Sequence, residues 1–267
     1  MIINQSILSD VMKDSQLSDI ANIFYVEKNK GKYQKQYLVN KGDLIETDTE
    51  FIEYELDEHK VIVNYSTDDN IVISDDIYND CTVELNQVVI NAVHNTIHNH
   101  VLNYITSNAK ETFDVKYYKP DNIVLRFIDN IINIFKPRST DVDVINLITS
   151  KCNSDSVVIL SVSAYREIML PINGAIGKLK IMDAFNKVGF NSNYIHVGYI
   201  EGNTKYYVTP SSTEKSILII NKNDLDVIIN RDIKILHTKG LNRKSVDIPV
   251  GIQIKQNKPC ITKINLI

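Results

Sequence analysis

The longest uninterrupted pattern in the chain runs from residue 76 to residue 108, and it constrains everything around it. Ile77, Cys81, Leu85, Val88, Ala92 and Thr96, together with Val89, Val93, Ile97, Val101 and Ile105, recur at spacings of three and four. That periodicity lines them along one side of an α-helix. No Gly or Pro interrupts the stretch, and Asp75 or Asp76 is placed to cap its start. A helix of about 30 residues is about 45 Å long at 1.5 Å per residue, where about 11–12 residues is the globular average. Its outer side is Asn-rich (Asn86, Asn91, Asn95, Asn99, Asn103), and Asn is not a strong helix former. Packing of the apolar side, rather than propensity, must hold such a helix.

The rest of the chain must therefore supply apolar surface, and its composition does. The 267 residues are 43% hydrophobic and 23% charged, with a formal net charge of -4, which excludes a disordered chain. The usage is skewed: 41 Ile and 29 Asn stand against 6 Ala and 9 Gly. Codon bias of an AT-rich genome is the simplest source, and Ile in place of Leu favours strands because β-branching suits extended backbone. Three Cys (Cys81, Cys152, Cys260) are too few and too odd in number for a disulfide scaffold. No apolar run approaches the ~18 residues of a membrane span. Residues 1–10 lack the basic start and apolar stretch of a signal peptide, so an intracellular setting is expected. Mild acidity also argues against a dedicated nucleic-acid-binding domain.

The charges are unevenly distributed. Residues 27–41 hold five Lys (Lys28, Lys30, Lys32, Lys35, Lys41) against one Glu. Residues 42–58 hold eight acids (Asp43, Glu46, Asp48, Glu50, Glu53, Glu55, Asp57, Glu58) and no base. Residues 33–39, 50–56 and 61–65 read as strands. A long hairpin with one basic and one acidic arm fits, since opposite charges across a ladder stabilise it modestly. Two strands alone are marginal in water, so such a hairpin needs partners. An ordinary solvated sheet edge is the other reading of the same pattern.

Before the hairpin, Ser9 or Asp10 can cap an amphipathic helix to about Asn22, with Val11, Met12, Leu17, Ile20 and Ile23 on one side. After the long helix the pattern is mixed. Strands are expected at 112–119, 156–161, 194–200, 205–209, 216–220, 226–229, 233–237, 246–254 and 260–267. Helices are expected at 121–135, at 140–150 and through Tyr165 to Leu170, while 178–187 fits either type. No internal repeat divides the chain.

Catalytic signatures are missing. Residues 174–179 (GAIGKL) lack the spacing and hydroxyl of a phosphate loop, and no G-x-G-x-x-G or G-x-S-x-G occurs. His94 and His98 sit four apart, a spacing that can place two imidazoles on one metal, but no third ligand adjoins them. No metal and no cofactor is assigned. Cys81 and Cys260 fit apolar faces, and nothing near Cys152 marks a thiolate site. The basic stretch Arg231, Lys234, Lys239, Arg243 and Lys244 reads as a solvated loop. The cluster Asp68, Asp69, Asp75, Asp76 and Asp80 lacks EF-hand spacing, and helix capping explains part of it. The chain is not expected to be an enzyme.

The order of elements then gains weight: arm, charged hairpin, long helix, α/β body, strand-rich end. It resembles the Hong Kong 97-type major capsid proteins of tailed phages. Two local stretches add to this. Residues 156–165 (SVVILSVSAY) look like that family's strand leading into a short helix, and residues 247–264 (DIPVGIQIKQNKPCITKI) look like its closing pair of strands. The resemblance implies an α+β fold with an N-terminal arm (1–24), an extended hairpin or E-loop (25–75), a peripheral domain with the spine helix (76–135), an axial domain (136–215) and C-terminal strands returning to the peripheral domain (216–267). It implies a structural virion protein that forms hexamers and pentamers of an icosahedral shell around double-stranded DNA, assembled in the host cytoplasm. Separate scaffolding, portal and decoration proteins are expected partners, with no membrane. Encapsulin nanocompartments share the fold and are the alternative. No crosslinking Lys–Asn pair is identified. A hairpin with segregated charge is suited to lie on a neighbouring copy, which makes Lys28, Lys30, Lys32, Lys35, Glu50, Glu53 and Glu55 the candidate intersubunit residues.

Overall fold

The computed structural model describes residues 17–41, 44–65, 83–116, 139–169, 195–200, 204–210, 212, 214–230, 236–239 and 244–267. In chain order these form α1 (Leu17–Ile20), β1 (Asn22–Val26), β2 (Lys30–Lys41), β3 (Leu44–Glu55), β4 (Asp57–Tyr65), α2 (Val83–Ser107), β5 (Glu111–Val115) and α3 (Ser139–Lys151). There follow β6 (Ser156–Ser161), the single turn α4 (Val162–Ala164), a π-helical turn (Tyr165–Met169), β7 (Ile195–Ile200), β8 (Thr204–Thr209) and β9 (Ser216–Asn221). A 3₁₀ turn (Lys222–Asp224), β10 (Leu225–Asn230), β11 (Leu236–Lys239), β12 (Lys244–Gln256) and β13 (Ile261–Leu266) complete the series. The fold is thus mixed α and β. The expected helix at 121–135, the ambiguous 178–187, the caps at Asp75 or Asp76 and the acidic cluster at 68–80 lie outside the described residues.

The chain divides into two compact units. The first takes in residues 23–97 and 226–255, and the second residues 15–22, 98–225 and 256–267. The first unit contains the sheet β1-β10-β12-β11, with β4 also paired to β12, and the separate two-stranded sheet β2-β3. β4 runs antiparallel to β12 from Asp57↔Ile252 to Tyr65↔Lys244. β10 (LDVIIN) is buried along nearly its whole length. A strand covered on both faces reads as a continuous apolar run rather than an alternating one. Gly251 on β12 is required by close approach, because a Cβ there would meet Leu56 Cδ1 at 3.0 Å.

The second unit contains the six-stranded sheet β5-β13-β9-β6-β8-β7. β6 is parallel to β8 and antiparallel to β9, and β13 is parallel to β5 and antiparallel to β9. All six residues of β6 are buried, as its Val-Val-Ile-Leu run demands. α3 packs Val144 and Ile148, one turn apart, into a core with Leu160, Tyr165, Tyr206, Ile217 and Ile264. Ser161 ends β6 and starts the following turn, its Oγ accepting the Ala164 N–H at 3.1 Å. Cys260, expected in the core, is buried, while Cys152 is half-buried.

The end of the first helix differs from the sequence-based expectation. The first helix ends at Ile20, not Asn22, and Asn22 opens β1. The reason is a long-range tie: Asn22 Nδ2 donates to the carbonyls of Lys222 at 3.3 Å and Asn223 at 3.2 Å, and the β-favouring Ile-Phe-Tyr-Val follows. The described part of the long helix is 25 residues, about 37 Å at 1.5 Å per residue. Its buried stripe is Val93, Ile97, Val101, Leu102 and Ile105, while Asn99 and Asn103 face solvent.

Candidate interaction surface on the hairpin

Twelve residues of β2 pair with twelve of β3 in strict antiparallel register, from Lys30↔Glu55 to Lys41↔Leu44. The segregated charge is thereby converted into cross-strand pairs. Lys30 stands opposite Glu55, Lys32 opposite Glu53, and Lys35 opposite Glu50. Alternation then gives the hairpin two different faces. Lys30 and Lys32 lie on one face with Glu53 and Glu55, and their ion pairs measure 3.1 Å each. All four side chains are well exposed, so each pair contributes only about 0–1 kcal/mol. Phe51 is 64% exposed and stands opposite Gln34. On this face its neighbouring rungs are Lys32–Glu53 on one side and Gln36–Thr49 on the other.

The opposite face is buried at its base. Tyr33 and Tyr54 join Val26, Leu56 and Ile228 in a small core, with Phe24 and Ile52 against it. Phe24 and Tyr33 rings lie 4.5 Å apart, and Tyr33 and Tyr54 6.4 Å apart. Gly31 stands opposite Tyr54 in the register, and a Cβ there would lie 2.9 Å from the Tyr54 hydroxyl oxygen. The ring therefore covers the glycine. Asp226 of β10 is fully buried beside this cluster. Lys35 Nζ donates to its Oδ1 at 2.6 Å, and Tyr33 Oη donates to its Oδ2 at 2.8 Å. Burial, reinforced by the Asp226 carboxylate, holds the Tyr33 phenol well above its ordinary range.

The seven residues singled out from sequence thus fall in different places. Lys30, Lys32, Glu53 and Glu55 share the exposed face. Glu50 is exposed opposite Lys35, but the Lys35 ammonium is drawn to Asp226. Lys28 lines an open groove of about 420 Å³ with Phe24, Tyr25 and Tyr33. Sequence reasoning passed over Tyr33, Tyr54 and Asp226. The available signal was Asp226 itself, a lone carboxylate in the apolar run LDVII, which requires a partner once buried.

Other candidates resolve as follows. His98 is buried on α2, four residues after the half-buried His94. Among the described residues no group of three or more His, Cys, Asp or Glu is arranged to hold a metal. Burial pushes the Cys152 thiol up to about 11, against the opposing effect of a hydrogen bond with Thr204. Lys239 and Lys244 face each other across β11 and β12, while Arg231, Lys234, Arg243, Cys81 and residues 174–179 lie outside the described residues. Among the described residues no helix is long and apolar enough to cross a membrane.

No protein-family model matches the sequence, and no curated protein matches it. Solved structures do resemble the fold over nearly its full length. A virus-like particle from Pyrococcus furiosus is 14% identical, with a TM-score of 0.48, over 97% of this chain and 96% of that one. The procapsid of satellite phage P4 with its size-determination protein is 12% identical, with a TM-score of 0.47, over 99% and 100%. An encapsulin complex from Synechococcus elongatus is 9% identical, with a TM-score of 0.45, over 93% and 86%. The structural neighbours of this chain are overwhelmingly phage major capsid proteins and capsid-like particles.

Proposed function

We propose that the chain is a structural shell subunit, a major capsid protein of the Hong Kong 97 type that assembles with copies of itself around double-stranded DNA. The observation that carries the reading is the β2-β3 hairpin. It is a sheet of its own, twelve residues per strand, with a charged outer face and an exposed Phe51. A two-stranded sheet of that length is marginal in water unless something lies against it. A neighbouring copy of the same chain is the partner that a closed shell provides at every position. Lys28, Lys30, Lys32, Glu50, Glu53 and Glu55 are then residues of the intersubunit contact, with Lys35 supporting it from the buried side. The same reading extends to a scaffold, a portal and hexamers and pentamers of the subunit in a virion. A mildly acidic chain, with a formal net charge of -4, is compatible with DNA that is contained rather than gripped, since counterions neutralise the phosphates.

The register gives a clean test. Gln36 and Thr49 are partners in the ladder. Joining them through Asn-Gly, the preferred two-residue hairpin turn, removes the distal half and leaves the base with Tyr33, Tyr54 and Leu56. The shortened chain is expected to fold and to fail to form particles under conditions where the full chain forms them. Normal particles from the shortened chain would refute the hairpin's role. Nuclease treatment and mass spectrometry of purified particles then separate contained DNA from a protein cargo, which is the encapsulin alternative.

A further inference from the structure

We infer that Asp226 is the positioning residue of the hairpin: its engagement by Lys35 and Tyr33 fixes the direction in which β2-β3 leaves the β1-β10-β12-β11 sheet. The use of that direction in assembly rests on the shell-subunit reading, whereas the geometry does not. Apolar contact is non-directional. The cluster of Val26, Tyr33, Tyr54, Leu56 and Ile228 would by itself tolerate rotation of the hairpin over β10. Hydrogen bonds are directional, and here two of them reach different oxygens of one carboxylate, at 2.6 Å from Lys35 and 2.8 Å from Tyr33. Two contacts on one rigid group fix both position and angle. Tyr33 and Lys35 are two residues apart on β2, so they project from the same face. A slip of one residue would carry both away from Asp226.

The burial makes this arrangement all-or-none. Asp226 is the one carboxylate among the fully buried polar residues described. A tilted hairpin would leave that charge without its partners in an apolar setting, which is strongly unfavourable. Other ties at the base are exposed: Asn230 Nδ2 donates to Asn29 Oδ1 at 2.6 Å, and the Glu55 N–H donates to Gln253 Oε1 at 3.2 Å. Exposed bonds exchange readily with water and resist tilting less. A buried ion pair adds little to stability against an apolar isostere, so a gain in specificity is the use that remains.

The test replaces the pair with apolar residues of similar volume, Lys35→Met with Asp226→Leu. Spin labels at Leu44, near the hairpin tip, and at Ile62 of β4 report the hairpin's direction in the unassembled subunit, in a chain whose three cysteines have been replaced. The unaltered pair is expected to give one narrow distance distribution. The double substitution is expected to broaden it about twofold with the melting temperature retained. Lys30→Met with Glu55→Leu, which removes an exposed pair inside the hairpin, leaves the width unchanged. A distribution as narrow in the Lys35/Asp226 variant as in the parent overturns the assignment, as does a parent as broad as the variant. If the double variant fails to fold, Tyr33→Phe must broaden the distribution alone, and a narrow result there overturns the assignment too. In assembly, the parent chain is expected to give one particle size and the double variant a mixture. A parent that forms no particles would defeat the shell reading, while the distance measurement still decides the role of Asp226.

Discussion

Lys35→Met alone should be a strongly destabilising single change on the hairpin. Asp226 is fully buried and the Lys35 side chain is only 14% exposed. Methionine replaces the aliphatic stem of the lysine but removes the charge, so it leaves a carboxylate in an apolar setting with the Tyr33 bond retained. Breaking a buried pair from one side costs about 3–5 kcal/mol. The retained Tyr33 bond, of the charge-assisted kind worth about 1.5–3 kcal/mol, keeps the cost near the lower end. About 3 kcal/mol is a large share of a typical domain stability of about 5–15 kcal/mol. Urea denaturation of the unassembled subunit measures it as a fall in midpoint with unchanged slope. Lys30→Met is the internal standard, since that ammonium is 74% exposed and its ion pair is worth about 0–1 kcal/mol. A Lys35→Met cost no larger than that of Lys30→Met would refute the reasoning.

Three further outcomes follow from the second unit. Burial works against the charge of Asp19, but the Tyr207 hydroxyl at 2.8 Å and the Lys205 ammonium at 3.3 Å outweigh it and hold the carboxyl below its ordinary range. Its contribution is therefore present above the unfolded-state pKa of about 3.9 and lost as pH falls through the lower folded value; Asp19→Asn should flatten the acid end of the stability profile, read by circular dichroism. Leu160→Ala, at a fully buried position of β6, should cost about 2–5 kcal/mol in the same urea assay, and a loss below about 1 kcal/mol would mean the sheet centre is not packed as described. The Cys152 thiol, pushed up to about 11 by burial, should react with a disulfide reagent at pH 8 at least about tenfold more slowly than a free thiol; mass mapping showing rapid labelling there would contradict its half-buried place.

The elements that the sequence revealed are those whose pattern is local. The spacing of Val93, Ile97, Val101 and Ile105 needs only the helical period to be read, and β6 announces itself through Val-Val-Ile-Leu. The pairing of Lys30 with Glu55 and Lys32 with Glu53 was foreshadowed by charge alone, because an antiparallel hairpin brings opposite arms of one segment together. The N-terminal helix stops short of the expected Asn22 because the bonds from Asn22 to the carbonyls of Lys222 and Asn223 span 200 and 201 residues. No local window contains them.

By itself, then, the sequence determined a mixed α/β chain with one long helix and one long hairpin of segregated charge. It did so because period, β-branching and cross-strand charge act over a few residues. Only the tertiary structure decided that β4 leaves the hairpin for β12, that β13 enters between β5 and β9, and that Lys35 turns from Glu50 to Asp226. Those choices depend on which surfaces become buried together. A carboxylate among apolar residues at position 226 is an unexplained charge in one dimension. In three dimensions it lies within hydrogen-bond reach of two β2 side chains, and burial makes those bonds directional constraints.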